Sequence, residues 1–198
     1  MRKNFGPKSW TYGEPVFIIG TYNEDGSANA MNAAWAGIYD TNKVFVSLAE
    51  HKTCDNFKRT NSFTVSFGTK DEVVPCDYVG IVSGNKVPEK VKNTNWHVVK
   101  SEFVNAPYFD ELKMTLDCEV ESVIENEDGI KLVGKILNVS ADESILTNGK
   151  IDPLKLKPLT FDPVNNKYYV LNNFYSFYKM NQAPCENEFF PLRLPFVP

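Results

Sequence analysis

Histidine is nearly absent: His51 and His97 are the only two. The four cysteines, Cys54, Cys76, Cys118 and Cys185, stand far apart with no C-x-x-C pair. Zinc sites draw on closely spaced Cys and His ligands, so no metal site is expected. The even cysteine count permits disulfides in an exporting cell. Met1 to Pro7, however, has no apolar stretch after Arg2 and Lys3 such as a secretory signal needs. Free thiols in a reducing cytoplasm are therefore expected, with Cys76 the one singled out. Long hydrophobic runs are also missing, which argues against a membrane span. Lysine and arginine are scattered among acidic residues at a net charge of −4, which argues against a nucleic-acid partner, because neutralising phosphates needs a concentrated positive face. Neither a G-x-S-x-G elbow, an H-E-x-x-H helix, a G-x-x-x-x-G-K-[ST] loop nor a G-x-G-x-x-G turn occurs. No catalytic residue is nominated, and any nucleotide-like ligand must be held outside the Rossmann and P-loop solutions.

What is present is strand-forming sequence. With 198 residues, 42% hydrophobic and 13% aromatic, the chain has material for one sizeable core, and a single domain over 1–198 is expected. Val16 to Tyr22 is a β-rich run ending in a turn with Asp25-Gly26, and the chain returns through Ala28 to Ala36. Val44 to Leu48 reads as a strand, and a short helix is expected to begin at Lys52 or Thr53 and reach Thr60. Ser62 to Phe67 alternates polar and apolar residues, the pattern of a half-buried strand. Asp71 to Ser83 can be helical, with Pro75 either in a first turn or marking a break, and Asn85 to Asn95 reads as a loop. Val98-Val99, Met114 to Val123, Ile130 to Val139 and Tyr168 to Leu171 add strands, with Asp128-Gly129 marking another hairpin. Seven or so evenly spaced strands with few short helices predict a mainly β protein built on an antiparallel barrel. The tail after Gln182 (181–198) reads as extended, beyond a core of 10–180.

Two segments carry candidate chemistry. Ser47, Lys52, Thr53 and Asn56 gather where a strand ends and a helix begins, and a hydroxyl, an ammonium and free backbone N–H groups suit a phosphate. The plainer reading has Thr53 capping its helix and Lys52 in solvent. Ala28 to Gly37 places Asn29, Met31, Asn32, Ala33, Ala34 and Trp35 where a strand would ordinarily carry bulky residues. Small side chains let a flat ligand lie on the backbone, amides can bond its edge, and Trp35 offers an aromatic face. The plainer reading puts Trp35 in the core and packs the alanines under a neighbouring strand.

Gly20-Thr21-Tyr22, Asp25-Gly26, Asn29-Ala30-Met31-Asn32, Trp35 and His51-Lys52-Thr53 with Asn56, in that order, resemble the flavin reductase-like family with an FMN-binding split barrel. The group of flavoredoxins is the most similar within it. Cys76-Asp77-Tyr78-Val79-Gly80-Ile81-Val82-Ser83-Gly84 followed by Lys90 adds to the resemblance, which runs from about Trp10 to about Met180. The resemblance implies a mainly β split barrel, a homodimer, and FMN in a groove. Asn29, Met31, Asn32, Ala33, Ala34 and Trp35 would face the ring and ribityl chain. Ser47, Lys52, Thr53 and Asn56 would face the phosphate, and Lys90, or Lys86 or Lys92 in the same loop, would approach it. It also implies transfer of reducing equivalents, with NAD(P)H or a redox partner protein as donor, or else flavin binding without redox duty. The aromatic stretch Tyr168, Tyr169, Phe174, Tyr175, Phe177 and Tyr178 is more apolar than a free surface should be, which also points to a second copy.

Overall fold

The computed structural model describes residues 1–171. The expected tail, and Phe174, Tyr175, Phe177 and Tyr178, lie outside the described residues. A two-residue strand β1 (Glu14–Pro15) precedes the first hairpin, β2 (Phe17–Tyr22) with β3 (Ala28–Ala33). Its turn closes at Gly26, whose φ of +81° is easy only without a Cβ. β4 (Ala36–Asp40) pairs with β5 (Lys43–Leu48), and α1 (Lys52–Thr60) follows, ending at Asn61 in the left-handed conformation. β6 (Ser62–Phe67) leads to α2 (Val73–Ile81), whose first turn holds Pro75, where a missing N–H costs nothing. Short strands β7 (Val98–Lys100) and β8 (Pro107–Phe109) come before the long hairpin β9 (Met114–Asn126) with β10 (Gly129–Ala141). β11 (Leu146–Thr147), β12 (Lys150–Ile151) and the one-turn α3 (Pro153–Leu156) lead to a last hairpin, β13 (Leu159–Asp162) with β14 (Lys167–Val170).

Seven strands make one antiparallel sheet in the order β3-β2-β6-β9-β10-β5-β4. Its two end strands, β3 and β4, are joined by only Ala34 and Trp35, so the strip must curl until its ends meet. This is a split barrel. Phe17, Ile19, Val46, Leu48, Phe63, Val65, Cys118 and Leu132 fill the inside, and Phe57 of α1 is fully buried among them. Each large apolar side chain buried this way contributes about 1.5–3 kcal/mol. Outside the strip, Ile18 and Ala30 pack with Cys76 and Val79 of α2 and with Trp96 and Phe109.

Two expectations are corrected. β6 is buried on both faces, because its polar side is covered as well: Thr64 donates to the Pro107 carbonyl at 2.5 Å, and Ser66 lies 2.8 Å from the Thr115 hydroxyl. The Asn85 to Asn95 segment is not all loop, since residues Lys90–Thr94 form a 3-10 helix with Lys90, Val91 and Thr94 buried.

Candidate functional site

Where the ends of the strip meet, a cleft of about 870 Å³ opens, within the ~300–1,000 Å³ that holds small-molecule ligands. One wall is the end of β3 and its link to β4, with Met31, Asn32, Ala33, Ala34 and Trp35. The floor is Ser47 to His51, leading into α1, and the β9–β10 turn from Asn126 to Gly129 closes one side. Opposite stand Asp77, Gly80 and Ile81 of α2 with Phe161 and Tyr168 of the β13–β14 hairpin.

Ala33 and Ala34 are buried, so the wall they form is flat backbone. Trp35 is 53% exposed, which excludes a core role; its ring stands 6.3 Å from Phe161. Phe161 faces Tyr168 directly across the hairpin register with ring centroids 5.8 Å apart, so the three rings form one row. Asn32 donates through Nδ2 to the Cys76 carbonyl at 3.1 Å and sits 3.5 Å from the Tyr168 hydroxyl, which donates to Asp77 Oδ1 at 2.7 Å. Burial first, and then the bond to Asp77, raise the Tyr168 pKa well above its ordinary value. α2 approaches β3 closely because position 80 is glycine: a Cβ there would lie 2.9 Å from Asn32 Cβ.

The start of α1 has no side-chain cap; His51 occupies the cap position in extended conformation and makes no capping bond. Thr53 is therefore not the cap. It is 1% exposed, and its hydroxyl accepts from Asn29 Nδ2 at 2.9 Å, while its own proton has no acceptor among the described residues. Asn29 also reaches Thr21 at 3.3 Å, and Asn56 donates to Thr21 at 3.1 Å and to Asn23 at 2.9 Å. These buried side chains tie α1 to the β2–β3 hairpin.

Of the expected site residues, Met31, Asn32, Ala33, Ala34, Trp35 and Ser47 line the cleft together. Asn29, Thr53 and Asn56 lie behind it as the support of α1. Lys52 lines a smaller hollow beside it with Asn23, Asp25 and Gly84. Lys90 is elsewhere: 3% exposed, it donates to the Val79 and Val82 carbonyls at 2.6 and 2.7 Å, completing the end of α2. That burial lowers its pKa from 10.5 to about 8. Cys76 is fully buried, and burial pushes its thiol up to about 12, which leaves it an inert packing group. Asp77, Phe161 and Lys131, whose ammonium donates to Ser47 Oγ at 2.7 Å, were not among the expected site residues. Tyr168 and Phe161 could be found only through the pairing of the last hairpin.

The flavin reductase like domain model matches residues 10–164. The chain belongs to that family. The flavoredoxin of Desulfovibrio vulgaris (Miyazaki F) is 33% identical, with a TM-score of 0.85 over 92% of this chain and 99% of that one. A flavoredoxin from Methanosarcina acetivorans is 26% identical, with a TM-score of 0.78 over 88% of this chain and 95% of that one. An FMN-binding domain of a flavin reductases-like enzyme from Shewanella baltica shares the fold at 18% identity, with a TM-score of 0.70 over 82% of this chain and 88% of that one.

Proposed function

We propose that the chain binds FMN in the cleft and passes reducing equivalents through it as a flavin-dependent oxidoreductase. The observation that carries this reading is the pairing of a flat wall, Asn32 to Trp35, with an uncapped helix start at the other end of one cleft. A helix start with free N–H groups suits an anion. When bound, the flavin supplies the two-electron chemistry. The chain's residues bind and orient it. Met31, Ala33 and Ala34 give the ring a flat seat, Asn32 stands at its edge, and Trp35 shields a face from water. Ser47, Lys52, Lys131 and the first N–H groups of α1 hold the phosphate, with Asn29, Thr53 and Asn56 fixing the helix behind them. NAD(P)H is the proposed electron donor.

A second reading of the electron supply, a carrier fed by a redox partner protein, is favoured by the acidic side chains Glu50, Glu127 and Asp128 along the cleft. The chain is proposed to act in the cytoplasm as a homodimer. No helix among the described residues is long and apolar enough to cross a membrane. β4 exposes Ile38 and Tyr39 at a sheet end, as a surface awaiting a second copy does. Sedimentation showing only monomer at micromolar concentration overturns the dimer.

The visible spectrum of the purified protein, followed by fluorescence titration of the apo form with FMN, FAD and riboflavin, tests the cofactor. Flavin bands and tightest binding of FMN are expected. Equal affinity for riboflavin and FMN removes the phosphate site.

A further inference from the structure

Three elements meet where the two walls of the cleft join: Asn32 from β3, Asp77 from α2 and Tyr168 from β14. Their hydrogen bonds fix which atoms are left for a ligand. The Tyr168 proton is committed to the Asp77 carboxylate at 2.7 Å, so its oxygen can only accept; Asn32 Nδ2 donates to it at 3.5 Å, which leaves one lone pair for a ligand. Asn32 must turn Nδ2 toward the Cys76 carbonyl, because an oxygen there would meet another acceptor, and this turns Oδ1 away, where no described residue donates to it. The raised pKa of Tyr168 keeps its proton in place. Beside the polar group runs the aromatic row of Tyr168, Phe161 and Trp35.

Resting on the reading of the cleft as a flavin site, we propose that the Tyr168 oxygen, set by Asp77, and the Asn32 carbonyl oxygen form an acceptor-only edge recognising the carboxamide NH2 of a dihydronicotinamide-type hydride donor. The aromatic row packs the donor ring, and the two oxygens read the one group on that ring that offers protons. A ring bearing a ketone in place of the amide presents no N–H to either oxygen. Tyr168 is in this sense a specificity residue and takes no part in the hydride transfer itself. That transfer moves a hydride from donor to flavin and needs no proton from the phenol.

The experiment compares two uncharged donors, N-benzyl-1,4-dihydronicotinamide and its 3-acetyl analogue, in anaerobic stopped-flow reduction of the flavin-loaded protein, wild type and Tyr168→Phe. The readout is the half-saturating donor concentration, which separates recognition from the donors' unequal reducing power. In the wild type the amide should saturate at a concentration roughly tenfold lower than the ketone, the loss expected when one net hydrogen bond is removed. Tyr168→Phe should raise the amide value toward the ketone's and leave the ketone value unchanged. Asp77→Asn, which no longer holds the phenol proton as firmly, should fall between them. Flavin content and FMN affinity are measured on every preparation. Absence of flavin overturns the cofactor reading as such. Flavin present with equal half-saturation for the two donors, or with no reduction by either, overturns the recognition alone, and the second result favours the protein-fed carrier. A Tyr168→Phe variant that loses FMN affinity instead assigns the edge to the flavin and overturns the proposal.

Discussion

Asn29 donates through Nδ2 to the Thr53 hydroxyl at 2.9 Å, and this bond joins β3 to the first turn of α1. Both residues are about 1% exposed, so neither water nor a surface ion can replace the bond. The helix start that borders the cleft is thereby fixed relative to the wall that faces it.

Asn29→Ala removes the shared donor of Thr53 and Thr21. Leaving a buried group without its partner costs about 1–3 kcal/mol, and apo stability in urea should fall by that amount. FMN affinity should fall as well, because the first turn of α1 loses its tie to β3. Unchanged stability would mean that the remaining bonds of Asn56 suffice to hold the helix.

Lys52 and Lys131 flank the start of α1 from two sides, one in the adjoining hollow and one behind Ser47. A hydrogen bond to a charged group contributes about 1.5–3 kcal/mol, so Lys52→Ala and Lys131→Ala should each weaken FMN binding by roughly tenfold or more. Riboflavin, which has no phosphate, should bind either variant within about twofold of wild type, a difference of only about 0.4 kcal/mol. Fluorescence titration decides. FMN affinity preserved in both variants would move the phosphate away from α1.

Gly80→Ala places a methyl 2.9 Å from Asn32 Cβ. Neither the helix nor the strand can give way without opening the seam between them, and overpacking of this kind costs about 1–3 kcal/mol. Thermal melts of the apo form should show the loss. A flavin titration should show weaker binding too, since Asn32 is displaced within the cleft.

Lys90 is the buried cation of the described residues. An unfolded chain keeps its proton up to the ordinary lysine value of 10.5, whereas the folded chain releases it near 8. Between those values the unfolded state binds more protons, so this residue makes stability rise with pH there, and below about 8 its penalty is present in full. Urea unfolding of wild type and Lys90→Met from about pH 7 to about pH 10 isolates the effect from other titrating groups. The difference should move in favour of wild type as the pH rises, and a flat difference would contradict the lowered value.

Glu50, Asp77, Glu127 and Asp128 line the cleft, and the two cations at its border, Lys52 and Lys131, are already assigned to the FMN phosphate. NADH should therefore reduce the bound flavin at a lower half-saturating concentration than NADPH, whose extra phosphate meets more repulsion. Salt screens exposed charges beyond a Debye length of about 10 Å at 0.1 M, so the gap should narrow as salt is added. Anaerobic stopped-flow at two ionic strengths checks both statements, and a preference for NADPH would require a cation from the partner copy or from the chain beyond residue 171.

The hairpins were legible because their turns are written in residues next to each other: Gly26 and Gly129 both take positive φ, as Asp-Gly turns require. The near wall of the cleft was legible for a similar reason, since Asn32 to Trp35 is one continuous stretch whose small side chains are out of place in a strand. The far wall was not. Asp77, Phe161 and Tyr168 come together only through the docking of α2 on β3 and the register that sets Phe161 opposite Tyr168 and Glu14. The alternation in β6 misled for a related reason: Thr64 and Ser66 look solvent-facing until Pro107 and Thr115 are seen to cover them. Lys90 misled through composition, because a lysine in a Lys- and Asn-rich segment looks like a surface charge, and the two carbonyls at the end of α2 that hold it are eight and eleven positions away.

The link of Ala34 and Trp35 between the two ends of the sheet leaves the barrel with a seam that no ladder of strand pairing closes. A molecule lying across that seam, held by β3 on one side and by the β5–α1 corner on the other, works as a clasp on the whole strip. Occupancy should then be felt far from the ligand: amides of β3 and β4, the strands at the two free ends, should gain hydrogen-exchange protection on loading before the central β6 and β9 change at all.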